Sequence, residues 1–177
     1  SGVSLLTLLV LLAVVPSMTW AEDVALIAET RLSGTVSEFA AEALGSDQIT
    51  VVYTSDETLG VLRLSDGQLA YESVRTGDRV VSFQLVKVHV DLLHLYYVAS
   101  HSEGRSIQWV EITSNSVSEP SSISQWDHGE VTLLASSEPG WGSAVLIAQG
   151  SMLELHWVSA GGIMRSQRAV MPAVGTW

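Results

Sequence analysis

The sequence predicts an all-β protein, and two observations carry that prediction. From Glu22 onward the hydrophobic residues recur with a period of about two rather than the helical 3.6. The runs that carry them are short, rich in β-branched and aromatic residues, and bounded by Gly, Ser, Asp or Asn clusters. Ile49 to Thr54 (ITVVYT) is such a run, and so are Val80 to Val90, Leu92 to Ala99, Ile107 to Ile112 and Ala144 to Ala148. No stretch beyond the N-terminus repeats apolar residues at helical spacing.

Internal similarity organises these strands. The twenty residues from Val36 (VSEFAAEALGSDQITVVYTS) lie without a gap over the twenty from Val81 (VSFQLVKVHVDLLHLYYVAS), at an offset of 45. A third window from Val131 (VTLLASSEPGWGSAVLIAQG) follows at an offset of 50. Each window reads as a strand, a connection and a second, more hydrophobic strand. A third strand follows, with Trp109 in the second copy and Trp157 in the third at an equivalent place, both expected to pack between sheets, then a fourth at Gln68 to Val74, Val117 to Ile123 and Ile163 to Val170. The units are 36–74, 81–123 and 131–170.

Four strands in about 45 residues resembles a blade of the β-propeller superfamily. The resemblance implies a partial propeller of about three four-stranded blades, the alternative being an antiparallel sandwich or barrel. No single propeller family is indicated. Trp126-Asp127 is a lone dipeptide read as lying in a loop, Ser65-Asp66-Gly67 is only a fragment of a sialidase-type Asp-box, and no run of alternating Asp suggests a calcium loop. A propeller usually closes with four to eight blades. Three units are therefore expected to belong to a larger ring or to an oligomer, with Val24 to Glu29 supplying the strand that ties the ring shut.

The first 21 residues read differently. Val3 to Val15 is an apolar to weakly polar run closed by Pro16, followed by Thr19 and Ala21 at the −3 and −1 positions of a signal cleavage site. The run is shorter than the roughly 20 residues of a spanning helix. A secreted, periplasmic or cell-surface protein cut after Ala21 is expected, with residues 22–177 as its β-repeat domain. No basic residue precedes Arg31 to form the usual positive n-region. An uncleaved segment would anchor the chain to a membrane, the only membrane contact expected.

Composition narrows the partners. Hydrophobic residues make up 47% of the chain, enough for a sizeable core. Nineteen acidic against eight basic side chains give a net charge of −11, and Lys87 is the single lysine. Nucleic acid is excluded as a partner, because phosphate binding needs clustered Lys and Arg. With no cysteine, disulfides, Cys-ligated zinc and thiol catalysis are excluded too.

Catalytic signatures are equally absent from the sequence. His89, His94, His101, His128 and His156 show no metal-site spacing, no G-x-S-x-G elbow is present, and the carboxylates form no recognisable acid/base pair. No cofactor and no metal is expected. Within a propeller-like unit, the loops joining strand four to the next strand one, and strand two to strand three, face one side. They place Asp78, Arg79, His101, Glu103, Trp126, Asp127 and His128 together as candidate ligand contacts. The expected function is an exported binding module for carbohydrate or protein. The alternatives are a propeller-type glycoside hydrolase or lyase with its catalytic residues elsewhere, and a structural assembly subunit.

Overall fold

A computed structural model describes residues 35–170, apart from 57, 75, 128, 139, 140 and 163, together with a short backbone pairing of Thr7–Leu8 with Thr30–Arg31. The signal-like segment and its cleavage site, the Val24 to Glu29 strand and His128 lie outside the described residues.

The described chain is three four-stranded antiparallel sheets and no helix. Sheet one holds β1 (Val36–Leu44), β2 (Gln48–Ser55), β3 (Thr58–Ser65) and β4 (Gln68–Val74). In sheet two, β5 (Arg79–His89), β6 (Leu92–His101), β7 (Gly104–Thr113) and β8 (Ser121–Trp126) follow. Sheet three comprises β9 (Thr132–Glu138), β10 (Gly142–Gln149), β11 (Met152–Ser159) and β12 (Met164–Val170). Every sheet is a meander in chain order.

Tight hairpins make the meanders. At the β3–β4 turn, Asp66 and Gly67 both take positive φ, 50° and 73°, the conformation that matches the twist of the flanking strands. The sequence Ser-Asp-Gly is thus turn chemistry.

Side chains alternate across each strand, and the sheets stack through their faces. Val52 and Val61 of sheet one meet Phe83, Leu95, Tyr97 and Val110 of sheet two. The opposite face of sheet two, with Tyr96, Val98, Ile107 and Trp109, packs on Val145, Ile147 and Val158 of sheet three. Sheet two is therefore covered on both sides, which is why Leu93 to Ala99 are buried without alternation. The stack is uneven. The first strands β1, β5 and β9 approach one another, whereas the fourth strands make no comparable approach and are largely exposed.

Three expectations need correction. The gapless overlay of 36–55 on 81–100 puts Val52 over Tyr97, yet Val52 faces sheet two and Tyr97 faces sheet one, across the same interface. The physical reason is loop length. Leu44 pairs with Gln48 around a three-residue turn, whereas His89 pairs with Leu92 around two residues, and a one-residue slip turns every side chain to the other face. Second, Trp109 and Trp157 are not both packed between sheets. Trp109 faces sheet three, but Trp157 stands on the side of sheet three turned away from sheet two, alternate to the inward-facing His156 and Val158. Third, Trp126 is not a loop residue. It is the last residue of β8, paired with Arg105.

Candidate functional site

The candidate loop residues gather at one end of sheet two, because a meander returns there after every second strand. Arg79 opens β5 opposite Ser100, and His101 closes β6 opposite Gly104. The turn between β6 and β7 carries Glu103, whose amide donates to His101 Nδ1 at 3.3 Å. Asp127 follows Trp126, so close to Gly104 that a Cβ there would lie 2.3 Å from the Trp126 carbonyl oxygen. The Asp127 carbonyl accepts a 3.0 Å hydrogen bond from Gln149 Nε2, which joins the same end of sheet three to the group. Asp78 lies near enough to Tyr97 that its charge adds to burial in raising the phenol. Arg79, Glu103 and Asp127 are exposed, and Asp78, His101 and Trp126 are half-buried.

Trp126 has a second environment. Arg168 of β12 lies 6.0 Å from its ring centroid, and the indole packs against the core between sheets two and three. Its contacts are those of a staple between neighbouring sheets.

That same interface holds polar groupings which no spacing in the sequence announced. Glu154 on β11 is only 3% exposed. Ser124 Oγ donates to its Oε2 at 2.5 Å, His156 Nε2 lies 3.1 Å from the same oxygen, and Arg168 pairs with Oε1. Burial alone would raise the Glu154 carboxyl, but the bonds from Ser124, His156 and Arg168, with the Arg168 charge, hold it below the ordinary value. The carboxylate thus ties β8 of sheet two to β11 and β12 of sheet three.

The second grouping has residue types familiar from acyl transfer. Ser143 Oγ on β10 lies 2.6 Å from His94 Nδ1 and 2.5 Å from the Tyr96 hydroxyl. His94 Nε2 is 3.6 Å from Glu111 Oε1, beyond hydrogen-bond range. Serine, histidine and glutamate are a nucleophile, a base and an orienter in identity. Ser143 is 1% exposed and His94 is fully buried, with the Trp109 ring centroid 5.2 Å from the imidazole. At these exposures neither Ser143 nor His94 is open to bulk solvent. The grouping functions as a polar rivet, and burial lowers the His94 pKa to about 4, which keeps the ring neutral. The signal for it lay in neither spacing nor motif, since 49 residues separate His94 from Ser143 and sheet stacking alone unites them.

A cavity of about 590 Å³ opens on sheet three and borders this grouping at Ser143, its other lining residues including Trp141, Trp157, Arg165 and Gln167. Among the described residues, no group of three His, Cys, Asp or Glu is arranged to hold a metal ion, and no helix is long and apolar enough to cross a membrane.

These features define an all-β protein of three stacked four-stranded meanders with a polar end and a hydrogen-bonded inter-sheet core. No protein-family model matches the chain, and no curated protein or solved structure matches it either.

Proposed function

We propose that the protein is an exported or surface-associated binding module of propeller-like build, taking a carbohydrate or protein ligand at the end of sheet two. The observation that carries this reading is the convergence of Asp78, Arg79, His101, Glu103 and Asp127, from three separate connections, on one end of a rigid scaffold. Side chains of both charges on short, braced turns suit a polar ligand recognised by hydrogen bonds, with little ordering entropy left to lose. First strands drawn together and fourth strands splayed apart support the propeller-like arrangement, in which strand one of each blade lies nearest the axis. A hydrolytic reading would rest on Ser143 and His94, and their burial weighs against it.

The test is binding of the purified protein to a panel of immobilised oligosaccharides and to proteins of the cell envelope. The comparison is a chain carrying Asp78→Ala, His101→Ala and Asp127→Ala, checked for unchanged β-sheet circular dichroism. Loss of binding by tenfold or more is expected. Undiminished binding by the triple variant would remove this end as the ligand site.

A further inference from the structure

The buried polar groups are not spread evenly between the two sheet contacts. Between sheets one and two the contact is apolar at its centre, and the ion pair there, Arg63 with Glu72, leaves the glutamate 39% exposed. Between sheets two and three, His94 of β6 is fully buried, and Glu154 and His156 of β11 are nearly so. Among the described residues, every buried imidazole and carboxylate lies in this second contact.

We propose that this contact is an acid-operated seam: mild acid parts sheet three from sheet two, while sheets one and two stay together. The surroundings of His94 set the direction. An imidazolium donates from both ring nitrogens. Nδ1 faces the Ser143 hydroxyl at 2.6 Å, which the Tyr96 hydroxyl shares at 2.5 Å. Nε2 has no hydrogen-bond partner, and Glu111 Oε1 stands off at 3.6 Å. A second proton therefore puts a charge with an unmet donor between the sheets, and parting them hydrates it. Burial holds the closed ring neutral, with a pKa of about 4 against 6.5 when exposed, so protons favour the parted state from about pH 6.5 down to about 4.

The other ionisable groups on these two surfaces modify that window. On sheet two, β6 adds Tyr96 and β7 adds Arg105 and Glu111, while β5 adds only Arg79 and His89 at its exposed ends. Tyr96, raised to about 12 by burial, and the arginines keep their charge state throughout. Burial raises the Glu111 pKa, which opposes parting, but its side chain is 29% exposed while that of His94 is fully buried, so the histidine sets the net direction. On sheet three, β10 carries no ionisable side chain, Glu138 of β9 shares the opposite face by its register with Gly142, and Arg168 of β12 and His156 hold the Glu154 carboxylate. Glu154, with its pKa lowered by those bonds and that from Ser124, favours parting only below about pH 4.5.

The contact between sheets one and two responds oppositely. Glu38 of β1 accepts a hydrogen bond from the Phe83 backbone, and burial raises its pKa, so protonation there favours the closed state. To the same contact β1 also turns Glu42, and β5 turns Lys87. Once parted, sheet three has no second layer against which to bury its apolar side, and its amides exchange with solvent. The bond from Gln149 to the Asp127 carbonyl crosses the same seam, so parting also loosens the end of sheet two.

Hydrogen exchange of the purified protein at pH 7 and pH 5, with labelling times adjusted for the intrinsic pH dependence of amide exchange, tests the proposal. Residues 142–159 report on β10 and β11, and residues 48–65 on β2 and β3. From pH 7 to pH 5, protection of β10 and β11 is expected to fall about tenfold or more, while that of β2 and β3 does not fall. His94→Gln, neutral at both values, should remove the fall. An equal fall in sheets one and three overturns the proposal, since acid would then loosen the whole fold. Protection of β10 and β11 that is the same at both values overturns it too, as does a fall that persists in His94→Gln. The comparison between strands of the unaltered chain decides the matter even where the variant fails to fold. No ligand takes part, so the outcome is independent of whether the end of sheet two binds one.

Discussion

His94 shows how much a buried residue's chemistry depends on its neighbours. In the unfolded chain its imidazole titrates at the ordinary value near 6.5, and in the fold burial lowers that to about 4. Between those values the unfolded chain binds the extra proton, so stability falls as pH drops from about 6.5 toward 4. The shift corresponds to about 3 kcal/mol at most. Glu111, the carboxyl that faces Nε2, has its pKa raised by burial and works in the opposite sense, gaining stability as it protonates. Glu154 adds to the acid loss only below its unfolded value of about 4.5, as its lowered pKa is approached. Urea unfolding at pH 7 and pH 5 should therefore show a clear loss for the unaltered protein and a much smaller one for His94→Gln. An equal loss in both would mean that His94 is not the group titrating. In sequence, His94 read as a lone strand histidine, and that much was legible. Its partner Ser143 was not, because the contact exists only once sheets two and three are stacked.

At the scale of elements, the strands were legible from period-two patterning, and the turns from Gly, Asp and Ser. The side of the sheet each residue faces was not. Face depends on counting residues through each hairpin, and Gly45-Ser46-Asp47 against Val90-Asp91 differs by one. Bulges in β5, at Val80/Ser82 and Lys87/His89, change the count again. Trp126 was misplaced because its neighbours Asp127 and Gly129 are turn formers, although the indole packs into the core and Trp126 itself still pairs with β7.

One glycine enforces an element's position in a way the sequence only hinted at. Gly142 opens β10 at φ 131°, and a Cβ there would lie 2.0 Å from the Val158 carbonyl oxygen, a backbone atom that cannot move without shifting β11. Gly142→Ala should therefore cost about 3 kcal/mol or more in urea unfolding. Gly150→Ala is the comparison. Gly150 also has positive φ, 57°, but nothing lies within 4 Å of the added methyl, and about 1 kcal/mol is expected. Similar losses at the two sites would show that backbone conformation, not the close approach, sets the cost.

At the scale of the molecule, the order of stacking should govern which parts open first. β6 lies between β5 and β7 in its sheet, and its two faces are covered by sheets one and three. Releasing one of its amides requires separating strands in the middle of the stack, an opening close to global unfolding. β12 is the opposite case. Among the described residues it pairs only with β11, and it exposes every residue from Arg165 to Val170. β2 and β10 are second strands like β6, but they belong to the end sheets. Hydrogen exchange should accordingly be slowest in Leu93 to Ala99, intermediate in β2 and β10, and fastest in β12, with the extremes separated on the order of a thousandfold or more. If β10 proved as protected as β6, stacking order would not set the sequence of opening.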